Sequence, residues 1–192
     1  MTSNTGCVVL AAGLGTRFGG NKLSAEYGGK TLYRRIFDII RPEDYGAVAV
    51  VSGTQEILDG AAEKGFLAVC NERPEDGISR SIRLGLEAVV PCDSAIFLVC
   101  DQPLLRAESL QAIGKAAKEH PGKIIVPVRS DGKTGNPCLF PAEFFGELLR
   151  LQGDRGGKAI IRSHPEKAFY LPLPDDELAD ADTKEELECL KQ

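Results

Sequence analysis

The groups able to do chemistry gather where apolar runs stop. Cys7-Val8-Val9-Leu10-Ala11-Ala12 is one such run, and Gly13-Leu14-Gly15-Thr16-Arg17-Phe18-Gly19-Gly20-Asn21-Lys22-Leu23 follows it. Glycines let backbone N–H groups approach an anion, and turned N–H groups form a concave nest for phosphate oxygens. Arg17 and Lys22 add full positive charges beside that nest. The expected chemistry is a polyphosphate cradle at the carboxyl end of a first strand, where open α/β sheets bind ligands.

Two common phosphate loops do not fit. A dinucleotide fingerprint starting at Gly13 and Gly15 needs glycine at 18, which is Phe18, and the next strand-like run ends in Ser52-Gly53 rather than in a ribose-binding acid. A Walker A loop starting at Gly15 reaches Gly20, but Asn21 stands where lysine is required, and Lys22 is followed by Leu23.

Asp101 ends a second apolar run, Ala95 to Cys100. An ionised carboxylate is costly inside a sheet, so at the carboxyl end of a strand it is expected to face the ligand crevice. Magnesium, which favours carboxylate and phosphate oxygens, would bridge it to a nucleotide. The plainer alternative is the start of a turn before Pro103. A second acidic cluster is Asp180-Ala181-Asp182-Thr183. Thr183 and Glu186 fit a helix-capping box, but Asp101 needs a metal-binding partner. Asp182 is the preferred partner and Asp180 the second choice.

Two further stretches are candidates. Ser79 and Ser81 stand after Gly77 at the start of a helical pattern, where hydroxyls and free N–H groups could meet a base or ribose, Gly77 allowing close approach. Ser79 as a helix N-cap is the competing reading. Gly153-Asp154-Arg155-Gly156-Gly157-Lys158 is a second charged glycine turn. It could hold an anionic acceptor through Arg155 and Lys158, or simply join two helices.

These residues need a frame. Apolar periodicity predicts helices over Thr31–Ile40, Thr54–Lys64 (with Thr54 as a cap), Ile78–Val90 and Ala107–Glu119, and strands over Ala47–Val51, Phe66–Cys70, Ala95–Cys100 and Lys123–Val128. Strand and helix alternating in this way call for a parallel sheet with helices on both faces. Continuous apolar strands are expected where both faces are covered. The expected fold class is therefore α/β, three-layer and doubly wound. After residue 128 the rhythm changes. Residues 135–141 read as extended, Ala142–Leu151 and Gly157–Ser163 as helices, Lys167–Leu171 as a strand and Thr183–Leu190 as a last helix. This third reads as an antiparallel elaboration of one 1–192 domain, with 1–128 for the nucleotide and 129–192 for the acceptor.

Composition removes several function classes. A formal net charge of -5 argues against a nucleic-acid binder. No apolar stretch approaches the ~20 residues that span a bilayer. Residues 1–5 lack the basic start and apolar core of a signal peptide, so the cytoplasm is the expected location. Cys7, Cys70, Cys92, Cys100, Cys138 and Cys189 form no C-x-x-C pair. They read as reduced and largely buried, not as a disulfide framework or zinc site. His120 and His164 look like exposed helix ends, which disfavours a histidine-based hydrolase.

The glycine loop fits L-A-A-G-x-G-x-R-x-G-x-x-K through Leu10, Ala11, Ala12, Gly13, Gly15, Arg17, Gly19 and Lys22. It resembles the nucleotidyltransferase superfamily, which joins a nucleotide to a phosphate-bearing acceptor. Within it, the molybdenum cofactor cytidylyltransferases are most similar. They pair D-Q-P (Asp101-Gln102-Pro103) with G-x-S-x-S-[LI]-R-x-G-L (Gly77 to Leu86), G-[NHQ]-P (Gly135-Asn136-Pro137), G-D-x-G (Gly153-Asp154-Arg155-Gly156) and D-x-D-T (Asp180 to Thr183). Leu14-Gly15-Thr16 and Phe18 depart from the usual serine and methionine and resemble sugar-nucleotide pyrophosphorylases instead.

The resemblance implies transfer of CMP from CTP to a phosphate-bearing acceptor, foremost Mo-molybdopterin, with release of pyrophosphate. Ala12, where related guanylyltransferases carry glycine, favours CTP over GTP. It implies catalytic Arg17, Lys22 and Asp101, and a nucleotide site of Leu10, Ala11, Ala12, Gly13, Gly15, Thr16, Gly77, Ser79 and Ser81. It also implies acceptor contacts from Asn136, Asp154 and Arg155, and Mg2+ or Mn2+ on Asp101 and Asp182. A molybdenum hydroxylase or its chaperone is an implied partner; nucleic acid and membrane are not. The alternatives are a sugar, alditol or choline phosphate as acceptor, GTP as donor, or a non-catalytic nucleotide-binding protein.

Overall fold

The computed structural model describes residues 4–13, Phe18 and residues 22–190. The chain runs β1 (Thr5–Leu10), β2 (Glu26–Tyr27), β3 (Lys30–Thr31), α1 (Leu32–Ile39), β4 (Ala47–Ser52), α2 (Gln55–Glu63), β5 (Leu67–Cys70), α3 (Ile78–Val89), β6 (Ser94–Val99), α4 (Ala107–Glu119), β7 (Ile124–Val128), β8 (Cys138–Pro141), α5 (Phe145–Leu149), α6 (Lys158–Ser163), β9 (Ala168–Pro172) and α7 (Lys184–Cys189). The main sheet has seven strands in the order β5-β4-β1-β6-β8-β7-β9. Only β8 runs antiparallel to its neighbours β6 and β7.

The strand pattern explains the layers. Alternate residues of a strand point to opposite faces. Cys7 and Val9 pack on one side with Tyr33, Ile36 and Phe37 of α1, Ile57 of α2 and Ile113 of α4. Val8 packs on the other with Ile82 and Leu86 of α3, Leu148 of α5 and Ile160 of α6. The expected doubly wound, mostly parallel sheet is therefore present. Leu10 pairs with both Val51 and Val99, so β1, β4 and β6 end flush. The segments after them emerge along one edge of the sheet.

Several expectations are corrected. The elaboration is not uniformly antiparallel, because β9 runs parallel to β7. β5 is not a covered apolar strand. It is the sheet's edge, with Leu67, Ala68 and Cys70 exposed. Cys70 and Cys189 are exposed thiols, whereas Cys7, Cys100 and Cys138 are buried. His120 and His164 do terminate helices, but neither is fully exposed: His120 stacks on Phe169 at 3.7 Å, and His164 Nε2 lies 3.0 Å from Glu147 Oε1. Residues 142–144 form a separate 3-10 turn before α5. Thr54 precedes α2 without capping it through its side chain. Ser79 does not cap α3: the cap position is Gly77, and Ser79 lies inside the first turn.

The β2–β3 hairpin was not expected. Its two strands are joined by Gly28 and Gly29, whose φ angles of 59° and 77° suit the tight two-residue turns that glycine favours.

Candidate functional site

A crevice of about 370 Å³ opens at the carboxyl ends of β1 and β6. The chain leaves β1 toward β4 on one side, while β6 lies on the other, so this is a topological switch point, where α/β sheets bind ligands. Leu10, Ala12, Gly13, Lys22, Gly77, Ser81, Asp101, Asp154 and Asp182 all line it. A hollow of about 410 Å³ beside Thr5, Tyr45 and Lys115, at the other end of β1, contains none of the predicted site residues.

Among the described residues, the charged centre is a bridge of Lys22, Asp101 and Asp182. Lys22 Nζ donates to Asp101 Oδ2 at 2.9 Å and to Asp182 Oδ1 at 2.7 Å. The Lys22 side chain is 9% exposed, and those of Asp101 and Asp182 are 26% and 38% exposed. Burial alone lowers the Lys22 ammonium, but the two carboxylates outweigh it and leave it raised above its ordinary range. Asp101 Oδ1, also buried, has no hydrogen-bond partner among the described residues.

Each member of the bridge is held by a different element. Asp101 follows the end of β6. Lys22 opens a 3-10 turn, Lys22–Ser24, in which Leu23 is also buried. Asp182 is brought from the far end of the chain by the backbone bond from Ala181 N–H to the Asp101 carbonyl, 2.8 Å. The capping box is real as well: Glu186 N–H donates to Thr183 Oγ1 at 3.1 Å and Thr183 N–H to Glu186 Oε2 at 2.9 Å. Leu187 of α7 packs with Phe18, Leu32 and Ala181, and the Tyr27 hydroxyl donates to the Leu190 carbonyl. The hairpin thus forms the seat of the final helix.

Asp180 is the third acid. Its carboxyl is pushed up to about 6, first by burial and then by the Asp101 charge, with a Gln102 amide pulling it back. The residue as a whole is exposed, so solvent screens much of that shift. Gln102 itself is 1% exposed; among the described residues its amide lies close enough to Asp180 to act on it but meets strict hydrogen-bond geometry with no partner.

The other predicted residues divide. Ser81 faces the crevice and accepts from Asn71 Nδ2 at 3.1 Å. Ser79 instead lines a shallow hollow with Arg83, Arg150 and Gly153. Gly77 has φ 85° and ψ 177°, and a Cβ there would stand 2.4 Å from the Gly153 carbonyl. Its bareness is therefore needed first by the Gly153–Asp154 turn, which also accepts the Ser79 N–H at 3.1 Å. That turn carries Asp154 to the rim, whereas Arg155 points to a separate hollow with Glu147 and Arg150. Ala11 is 3% exposed, its N–H donating to Val51 and its carbonyl accepting from Ser52. Asn136 is half-buried and is not among the crevice residues. Gly15, Thr16 and Arg17 lie outside the described residues.

Two buried polar supports have little signal in the sequence. Asn71, fully buried, orders the rim by bonding Ser81, Arg73 N–H and Arg80 Nε. Glu177, 2% exposed, accepts from Arg106 N–H at 3.0 Å and Ser109 Oγ at 2.6 Å at the start of α4. A buried polar residue in a polar loop could have hinted at the first. The second depends on a contact across 68 residues.

The profile of the MobA-like NTP transferase domain matches residues 7–168. The chain belongs to this family of nucleotidyltransferases. Rv0371c from Mycobacterium tuberculosis H37Rv is 25% identical, with TM-score 0.82 over 100% of this chain and 99% of that one. A manganese complex of Rv0371c aligns at TM-score 0.81 and 25% identity over 97% of both chains. Molybdopterin-guanine dinucleotide biosynthesis protein A from Archaeoglobus fulgidus, 16% identical, shares the fold at TM-score 0.71, over 97% of this chain and 96% of that one. No curated protein matches the chain in sequence. Among the described residues, no helix is long and apolar enough to cross a membrane.

Proposed function

We propose that this nucleotidyltransferase moves CMP from CTP to a phosphate-bearing acceptor, foremost Mo-molybdopterin, and releases pyrophosphate. The observation that carries this reading is the Lys22 ammonium held between Asp101 and Asp182 at the edge of the switch-point crevice. Oppositely charged groups are thereby gathered where a triphosphate would lie. The motif resemblance supports CTP and the molybdopterin acceptor; the cytoplasm is the proposed place of action.

A divalent ion fits the acid pair. Mg2+ binds through one or two carboxylates together with substrate phosphates and water, and Asp101 Oδ1 is a buried oxygen without a partner among the described residues. Asp101 and Asp182 would hold the ion, which when bound neutralises and orients the phosphates; a manganese complex of a 25% identical relative supports this. The chain's own groups do the rest. Leu10, Ala12, Gly13, Gly77 and Ser81 form the bed for the nucleoside. Lys22, with Arg17, balances charge on the α-phosphate and the leaving pyrophosphate. The acceptor phosphate is already anionic at neutral pH, so an oxygen of it attacks the α-phosphorus in line without a strong base. Rate enhancement comes from alignment and charge stabilisation. Asp154, on the rim, faces the acceptor side, within a domain whose 129–192 part serves the acceptor. A molybdenum hydroxylase or its chaperone would receive the product.

A second reading keeps the chemistry and changes the acceptor to a sugar, alditol or choline phosphate. It rests on Leu14-Gly15-Thr16 and Phe18, which resemble the pyrophosphorylase loop. The test is pyrophosphate release from CTP, GTP and ATP, each with Mo-molybdopterin, with the other phosphates, and alone. Release with CTP and Mo-molybdopterin, lost in Asp101→Ala and Lys22→Ala, is expected. Release only with another donor or acceptor replaces the substrate assignment, and no release with any pair makes the chain a nucleotide-binding protein without turnover.

A further inference from the structure

Lys22 occupies an unusual place for a phosphate-binding cation: it is engaged with the acids rather than free in the crevice. Its ammonium lies 2.9 Å from Asp101 Oδ2 and 2.7 Å from Asp182 Oδ1. A divalent ion bound to both carboxylates would need the space between these oxygens. Two cations cannot share it, because their repulsion grows as their separation and local dielectric fall. The two carboxylates are 81 residues apart in sequence, joined by the Ala181–Asp101 backbone bond, so the gap is set by the fold rather than by side-chain drift.

We propose that Lys22 is the resident counter-cation of the Asp101–Asp182 pair in the nucleotide-free protein, and that its ammonium must leave before a divalent ion can settle there. The inference rests on the metal reading given above. Lys22 also lines the crevice, so a triphosphate entering beside Leu10, Gly13 and Ser81 offers its ammonium a second set of oxygens. The lysine then exchanges carboxylate partners for phosphate partners and vacates the acid pair. Among the described residues, Asp101 Oδ1 is buried and has no partner, so Lys22 leaves this oxygen of Asp101 unsatisfied. Metal and nucleotide consequently enter together, and the free protein holds metal weakly. This guards the acids against idle occupation by a bare ion.

The test uses Mn2+ alone with the full-length, nucleotide-free protein, reading free aqua-ion by electron paramagnetic resonance, with thermal unfolding as a check on folding. Lys22→Met removes the charge and offers a hard ion no oxygen. It is expected to bind Mn2+ at least about tenfold more tightly than the wild type, since a neighbouring positive charge has gone. Lys22→Arg, which keeps a cation, is expected to bind as weakly as the wild type. If Lys22→Met fails to fold, Lys22→Leu carries the same expectation. Binding by the folded neutral variant no tighter than wild type overturns the inference. Adding Asp101→Asn to Lys22→Met separates the two readings: the gained affinity should vanish. If it persists, the ion sits elsewhere and the metal assignment itself falls.

Discussion

Gly77→Ala is the substitution whose consequence can be worked out most directly. At φ 85° and ψ 177° the backbone is in a region reached essentially by glycine alone, and forcing alanine into it costs about 1–3 kcal/mol. The new Cβ would also stand 2.4 Å from both C and O of Gly153 and 2.8 Å from Asp154 N. Those neighbours are backbone, so the turn must move, and overpacking of this kind costs a further ~1–3 kcal/mol. The sum is about 4 kcal/mol, a large share of the ~5–15 kcal/mol that holds a typical domain together. At ~2–4 °C per kcal/mol for a chain of this size, the midpoint of thermal unfolding should fall by about 10 °C. Gly153→Ala is the matched control. Gly153 has φ 60°, but nothing lies within 4 Å of a Cβ there. Only the left-handed backbone is penalised, by ~1–2 kcal/mol. Scanning calorimetry of both variants, with pyrophosphate release measured below their transitions, tests the argument. Gly77→Ala should also turn over more slowly, because the displaced turn carries Asp154. A Gly77→Ala protein that melts and turns over like the wild type, or one that is more stable than Gly153→Ala, would refute the reasoning.

Other expectations follow from single contacts. Glu177→Ala leaves the Arg106 N–H and the buried Ser109 hydroxyl without their acceptor. It should lower stability by ~2 kcal/mol in urea unfolding while turnover stays near normal at permissive temperature. Leu187→Ala opens the small cluster of Phe18, Leu32 and Ala181 and should cost ~2–5 kcal/mol locally. Because that cluster seats the segment bearing Asp182, turnover is expected to fall at temperatures where circular dichroism is unchanged. Burial raises the thiols of Cys7, Cys100 and Cys138. A thiol reagent at neutral pH should therefore modify Cys70 and Cys189 first in the native protein and reach those three only on unfolding.

Much of the fold was legible because long elements carry their own periodicity. β1, β6, α3 and α4 were each readable from apolar spacing, and their alternation dictates a parallel sheet. The β2–β3 hairpin was not, since strands of two residues hold no period, and its glycine pair was the sole local cue. The place of β8 between β6 and β7 was also hidden, as strand order is decided by packing between distant segments. At the site, the ends of apolar runs pointed to Lys22 and Asp101, and the need of Asp101 for a second carboxylate pointed to Asp182; these three side chains do meet. Ser79 and Ser81 were read together, yet residues two apart on a helix cannot share a face. Only Ser81 turns to the crevice. Gly77 lines the crevice, but its bareness is required first by its neighbour Gly153.

The bond from Ala181 N–H to the Asp101 carbonyl sets an order on biosynthesis. Strands β1, β4 and β6 leave the ribosome before the segment that carries Asp182 and can pair early, since domains fold from the amino terminus as they are made. Asp101 and Lys22 are then already in place, but Asp182 joins them only when the segment around it has been synthesised and has reached back across the fold. A nascent chain would pass through a stage with most of its core formed and a charged site still lacking one wall. The acid pair, and any capacity to hold an ion there, is thus completed only after the segment that carries Asp182 has been made.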